Sequence, residues 1–295
     1  MDVSGHAVSV PGIAALGIVV GFIAGMFGVG GGFLLTPLLN VVFGIPLPIA
    51  VGTGLCQMIG TSTAALLRHR RIGQGEIRFD LLMLGGSLFG VDAGTRAVTA
   101  LADAGSVAIG GERIALVVLV LDISYVTLLA GIARIFWMQS GSIEALDYVR
   151  FGPLSRVRFG PAIDLPAIPL RRVSALVVAF VGLALGFLSG MLGIGGGVAL
   201  MPVLIYGFGF PIRQAAGTGI LVLVVSAAFG TVEHAVRGHV DLRLATVLMV
   251  GSTLSAQVGA LATRRLRAGT LRRLFAGILL LTSATIAWHL VSLVR

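Results

Sequence analysis

Apolar residues run through this chain in long blocks, and two glycine runs cut those blocks at matching places. The first block extends from about Pro11 to Phe43 and is interrupted by Gly25-Met26-Phe27-Gly28-Val29-Gly30-Gly31-Gly32. The second, from about residue 174 to Phe208, is interrupted by Gly190-Met191-Leu192-Gly193-Ile194-Gly195-Gly196-Gly197. A proline follows each run at the same spacing, Pro37 and Pro202. Glycine inside a helix costs about 1 kcal/mol relative to alanine, so four within five positions predict a break. The other apolar blocks predict helices at about 48–67, 79–101 and 113–137 in the first half and about 212–232 in the second. Several reach the roughly 20 residues needed to cross a bilayer.

Composition agrees. Hydrophobic residues make up 57% of the 295 and charged residues only 11%, against about 25% charged in soluble domains. The expected class is therefore an all-α polytopic membrane protein. All 21 basic residues are Arg, and the net charge is +9. In a soluble chain that charge would suggest nucleic acid, but here the arginines lie in loops between apolar blocks, where they set topology. No nucleic acid is expected as a partner, and the lipid bilayer is. The single Cys56 leaves the redox compartment open. The segment Met1–His6 lacks a basic n-region, so no cleavable signal peptide is expected.

The chain repeats itself. Sliding one half onto the other pairs Gly28 with Gly193, Pro37 with Pro202, Phe43 with Phe208, Thr53 with Thr218, His69 with His234 and Ser87 with Ser252. The expected units are a first transmembrane repeat over 11–137, a linker over 138–173 and a second repeat over 174–294. The linker contains its own small duplication, Arg150-Phe151-Gly152-Pro153 and Arg158-Phe159-Gly160-Pro161. Internal repeats of this kind mark secondary transporters.

Arginine placement bears on orientation. The loop after the second helix holds Arg68, Arg70, Arg71 and Arg78 against Glu76 and Asp80, while its counterpart has Arg237 and Arg243 balanced by Glu233 and Asp241. The next loop reverses the bias, with Arg264, Arg265, Arg267, Arg272 and Arg273 in the second half. Under the positive-inside rule the basic loops and the linker are cytoplasmic, so the repeats are of inverted topology and the N-terminus is external. Parity then makes each glycine-cut block a broken helix or re-entrant hairpin with the run at its tip, followed by three transmembrane helices.

A helix N-terminus leaves N–H groups unpaired and carries about half a positive charge, which favours an anion. Gly28, Gly30, Gly31 and Gly32, with Gly193, Gly195, Gly196 and Gly197, are therefore candidate anion-binding positions. Helix packing by small residues is the competing reading. Thr53 and Thr218 could donate to an oxyanion or bond their own helix, and Gln57 is a further candidate. Asp122 lies mid-helix in an apolar block. It fits either a proton-coupling acid or a protonated acid bonded to another helix. Asp92 and Arg96, four apart, predict a structural salt bridge. His69 and His234 fall at helix ends, which predicts interfacial positions. No metal-ligand spacing, catalytic nucleophile motif or cofactor loop is present, so neither an enzyme nor a cofactor nor a metal is expected.

These residues resemble the TauE/SafE family of membrane permeases, also called sulfite exporters. The likeness rests on Gly25–Gly32 with Pro37, Gly190–Gly197 with Pro202, and the segments Ala50-Val51-Gly52-Thr53-Gly54 and Ala215-Ala216-Gly217-Thr218-Gly219. The resemblance implies movement of sulfite, organosulfonates or similar anions across the bacterial inner membrane, driven by protons. An anion channel, or a transporter of another small anion such as a carboxylate, stays open, as does assembly into a homo-oligomer.

Overall fold

The computed structural model describes all residues except 1, 4–5, 8, 72, 74, 110–111, 139–151, 166–171, 264–265, 267 and 295. A two-residue ladder joins β1 (Asp2–Val3) to β2 (His6–Ala7). Then come α1 (Val10–Phe27), α2 (Gly32–Phe43), α3 (Leu47–Arg71) and α4 (Ile77–Asp103). The antiparallel hairpin β3 (Ser106–Ile109) and β4 (Glu112–Ala115) leads into α5 (Leu116–Met138). The described part of the linker holds one turn, α6 (Pro153–Arg156), and β5 (Ala162–Ile163), which pairs with β6 (Val173–Ser174). The second half contains α7 (Ala175–Leu192) and α8 (Gly197–Pro202), which runs on as a π-helical turn over Val203–Phe208. It ends with α9 (Ile212–Gly217), α10 (Ile220–Val236), α11 (Leu242–Thr263) and α12 (Ala268–Val294).

Six of these helices are long and apolar enough to cross a membrane. Small residues set how they pack. A Cβ on Gly17, Gly21 or Gly25 of α1 would stand 2.9, 2.3 and 2.0 Å from backbone oxygens of Leu248, Ser252 and Ala256 on α11. At the matching positions of α7, Gly182, Gly186 and Gly190 meet the carbonyls of Met83, Ser87 and Val91 on α4 at 2.1, 2.1 and 2.3 Å. With no hydrophobic drive between helices in lipid, backbone approach through small residues is what joins them. Each repeat's broken helix is thus clasped by the other repeat's helix.

The pairs in which a helix meets its own counterpart from the other repeat run antiparallel. On α5 and α12, Asp122 faces His289, Ser283 donates to the Val126 carbonyl and Phe136 stacks edge-on to Phe275. On α3 and α10, Gly52 lies against His234 and Gly230 against Leu55. The aromatic cluster of Phe27, Phe33, Phe136 and Phe275 ties α12 to the first broken helix.

Two features depart from the pattern expected of the sequence. The helix expected over about 212–232 is broken at Thr218-Gly219, between α9 and α10. The hairpin β3–β4 precedes the fourth helix, where the apolar pattern predicts helix from about residue 113. Of the expected linker, residues 139–151 and 166–171 lie outside the described residues. Its α6 turn packs on the π-helical turn, where Gly152 approaches the Gly207 carbonyl and Leu154 covers Gly207.

Candidate functional site

Each glycine run turns the chain between two helical arms. At the base of the first pair a Cβ on Gly12, in α1, would lie 3.3 Å from the Phe43 ring, the last residue of α2. The arms therefore fold back on one another as a hairpin. Gly28, Gly30 and Gly31 adopt φ of 68, 80 and 87°, and Gly193, Gly195 and Gly196 adopt 68, 64 and 72°. Side chains rarely adopt this left-handed region, so the run must be glycine to turn here.

The two tips meet. A Cβ on Gly32 would stand 2.3 Å from the Gly193 carbonyl oxygen, and one on Gly197 would stand 2.3 Å from that of Val29. The pairing is reciprocal between the repeats. In the first tip Leu34 and Leu35 N–H both turn back to the Gly31 carbonyl at 3.1 Å. The N–H groups of Gly32 and Phe33 ahead of them are of the kind that a helix start leaves without an intrahelical partner. In the second, Leu200 N–H reaches the Gly196 carbonyl at 2.8 Å.

Helix α3 runs past both tips. Thr61 donates to the Gly30 carbonyl at 3.2 Å, and Gln57 Nε2 donates to Ser252 Oγ of α11 at 2.6 Å. In the other half Ser87, the counterpart of Ser252, pairs with Ser226 at 2.7 Å, and the position matching Gln57 is Val222. Among the described residues, Gln57 Oε1 and Ser62 Oγ are buried with no hydrogen-bond partner, and Ser62 Oγ lies 3.1 Å from where a Gly30 Cβ would stand. Met58 fills the space between the tips, its Cε 2.3 Å from a Cβ built on Gly30 and 2.0 Å from one on Gly195. Leu223 occupies its place in the second repeat, and it lies beside Gly195.

Thr53 and Thr218 are engaged elsewhere. Thr53 Oγ1 accepts from Asp241 N–H at 3.1 Å, and Thr218 Oγ1 accepts from Glu76 N–H at 3.2 Å. Each duplicated Gly-Thr-Gly segment thus seats the loop that starts the other repeat's third helix. Asp80, fully buried, accepts from Gly219 N–H at 2.5 Å and is held by Arg70 at 2.9 Å. Nothing in the apolar pattern singled out Asp80, because its partner Gly219 is far along the chain.

Asp122 is 2% exposed and faces His289 of α12, with 3.5 Å between Oδ2 and Nδ1. Sequence inspection within one turn of Asp122 could not find a partner that another helix supplies. Three residues on, Tyr125 is fully buried and its hydroxyl donates to the Leu192 carbonyl, just before the second tip. The Asp92–Arg96 pair forms at 2.9 Å, as its spacing predicts. His234 differs from its expected interfacial place: it is fully buried, with Nε2 3.1 Å from the Gly190 carbonyl. Beside it His239, in the loop after α10, is pushed below the ordinary imidazole range by burial and by Arg237. No group of three or more metal-ligating side chains occurs among the described residues.

Six spanning helices and broken helices meeting inside the bundle define a multi-pass membrane protein of transporter type. Curated relatives share that description over nearly their whole length. "Probable membrane transporter protein YunE" of Bacillus subtilis is 23% identical over 94% of this chain and 97% of its own length. "Probable membrane transporter protein MJ0441" of Methanocaldococcus jannaschii is 23% identical over 91% of this chain and 92% of its own. A "Probable membrane transporter protein" of Xylella fastidiosa is 27% identical over 92% and 93%. No solved structure matches. The profile of the family described as sulfite exporter TauE/SafE matches residues 13–286, and the chain belongs to that family.

Proposed function

We propose that this transporter moves small sulfur-containing oxyanions, sulfite and organosulfonates, across the bacterial inner membrane, coupled to protons through Asp122. The anion binds at the midplane against the two glycine tips, in the place that the flexible Met58 side chain fills in this conformation, within a bundle of two inverted repeats. The observation that carries this reading is the reciprocal meeting of the tips, Gly32 on Gly193 and Gly197 on Val29. Converging helix starts favour an anion electrostatically; the unpartnered Ser62 Oγ stands beside the first tip, and Gln57 Oε1 is unpartnered on the same helix. The hydroxyl can donate to an oxyanion, and an amide can turn its NH2 toward one.

Inverted topology is supported by the antiparallel course of the self-paired helices, α5 with α12 and α3 with α10. A two-fold axis in the membrane plane reverses a helix onto its twin, whereas an axis along the normal keeps the pair parallel. The arginine bias of loop 68–78 supports a cytoplasmic side for that loop and the linker and an external N-terminus. Sulfur enters through the family's description; the geometry calls for a small oxyanion.

The test is uptake into proteoliposomes of labelled sulfite, thiosulfate, sulfate, taurine, sulfoacetate and small carboxylates, with and without an inward proton gradient. Saturable uptake of sulfite or a sulfonate that the gradient drives supports the reading. Transport confined to carboxylates overturns the substrate class. A reversal potential set by the anion gradient alone, with no coupled proton movement, makes the protein a channel.

A further inference from the structure

We infer that Asp122 and His289 together form the proton-binding site, and that Tyr125 ties its protonation state to the second glycine tip, so that proton and anion are carried in the same direction. The inference rests on the proton coupling proposed above and adds the partner, the connection and the direction.

The pair joins α5 to α12. Oδ2 and Nδ1 stand 3.5 Å apart, and neither atom has a hydrogen-bond partner among the described residues. A carboxylate and an imidazole so placed share one proton, held on the ring as an ion pair or on the acid. Losing that proton leaves a single buried negative charge, and regaining it restores neutrality. Asp122 is 2% exposed while the His289 side chain is 23% exposed, so the histidine is the less buried member of the pair.

His289 is the titratable group facing Asp122 from the elements packed around it. Helices α2, α7 and α8 contain no Asp, Glu, His, Lys or Arg. On α4, Asp92 is taken up by exposed Arg96, and Asp103 is exposed. Strand β4 carries Glu112 and exposed Arg113, ahead of α5. Arg134, at the far end of α5, and Arg272 and Arg273, at the far end of α12, lie three turns or more along their helices. Tyr206, beyond α8, stacks on Phe136 near that same far end.

Tyr125 lies one turn from Asp122 on the same helix and donates to the Leu192 carbonyl. The next residue, Gly193, begins the tip, and Thr36 Oγ1 of α2 stands 3.0 Å from where its Cβ would be. A negative charge on the unloaded pair therefore sits one turn from the group that holds the tip, and opposes an anion there. Loading the proton removes that opposition. Anion binding and proton binding then favour one another reciprocally.

The experiment measures affinity for an organosulfonate, whose charge is constant over the pH range used, in purified full-length protein reconstituted in nanodiscs. In the unsubstituted protein affinity should fall about tenfold per pH unit above the midpoint of the pair, as linkage to one proton requires. Asp122→Asn should flatten that slope to less than twofold, and His289→Gln should move the pH at which it sets in. Tyr125→Phe should flatten it while the pair still titrates. Infrared difference spectra of the ligand-free protein follow the Asp122 carboxyl directly. Its band should vanish in Asp122→Asn and titrate at a different pH in His289→Gln. An unmoved midpoint in His289→Gln, or no carboxyl band that Asp122→Asn removes, overturns the proton site. Saturable sulfonate binding with no pH slope in the unsubstituted protein overturns it too, and leaves the anion reading standing. No oxyanion binding at any pH, with the titrating band intact, overturns the anion reading and the Tyr125 link but not the proton-binding pair.

Discussion

In the first repeat α3 passes through Gly52-Thr53-Gly54 as one unbroken helix from Leu47 to Arg71. In the second, the same triplet, Gly217-Thr218-Gly219, ends α9 and starts α10, with Gly219 at φ 87°. The flanking loop explains the difference. Asp80 gives Gly219 N–H a buried carboxylate at 2.5 Å, with Arg70 bound to its other oxygen, and Gly75 N–H reaches Gln214 at 3.1 Å. The position matching Asp80 in the second repeat is Ala245, which can offer α3 no such acceptor. The arms after the tips diverge in the same direction: α2 keeps α-helical turns past Pro37, whereas Pro202 is followed by a π-helical turn. Near-equal sequences thus hold near-equal tips on unequal supports, and irregular backbone gathers in the second repeat. π turns and broken helices are where membrane helices most often bend and bind.

The comparison breaks first at the tips. Gly32→Val and Gly197→Val each place a Cβ 2.3 Å from the opposing tip's carbonyl. Both should lower the initial rate of uptake at least about a hundredfold, since a backbone neighbour cannot yield as a side chain can. A loss in one variant only would show that the tips are not equivalent.

Asp80→Ala is next. It leaves the Gly219 N–H buried without an acceptor, which costs about 1–3 kcal/mol. Amide hydrogen exchange should rise over residues 219–223 and stay unchanged over 54–58 of unbroken α3. Gly219→Ala should then cost about 1 kcal/mol, because alanine does not favour φ 87°. Gly54→Ala, inside a continuous helix with Thr36 Oγ1 3.0 Å from the new Cβ, should change stability far less. Thermal unfolding in detergent reads both, and equal shifts would contradict the asymmetry. The smallest effect belongs to Arg96→Ala. Its 72% exposed side chain should leave the melting temperature unchanged.

Much of this was readable from residue patterns. Glycine runs inside apolar blocks mark breaks because backbone cost and bilayer length act locally, and they predicted α1, α2 and α7 to within a residue or two. The Asp92–Arg96 pair was readable because its partners lie one turn apart. What escaped depends on partners distant in sequence. The α9–α10 break needs Asp80 and Arg70, and His289 reaches Asp122 only once α5 and α12 pair. The matched triplets, being alike, could not reveal that one stays helical. Thr53 and Thr218, read as ligand donors or helix-bonding hydroxyls, accept from loop N–H groups that spacing along one helix could not reveal.

Saturable uptake of labelled sulfite in proteoliposomes, compared among the unsubstituted protein, Gly31→Leu and Gly196→Leu, tests most directly whether both tips form one anion site. Uptake that organosulfonates compete, and that is lost in either variant while both insert and elute as folded protein, is the predicted result. Unchanged uptake in either variant would contradict it.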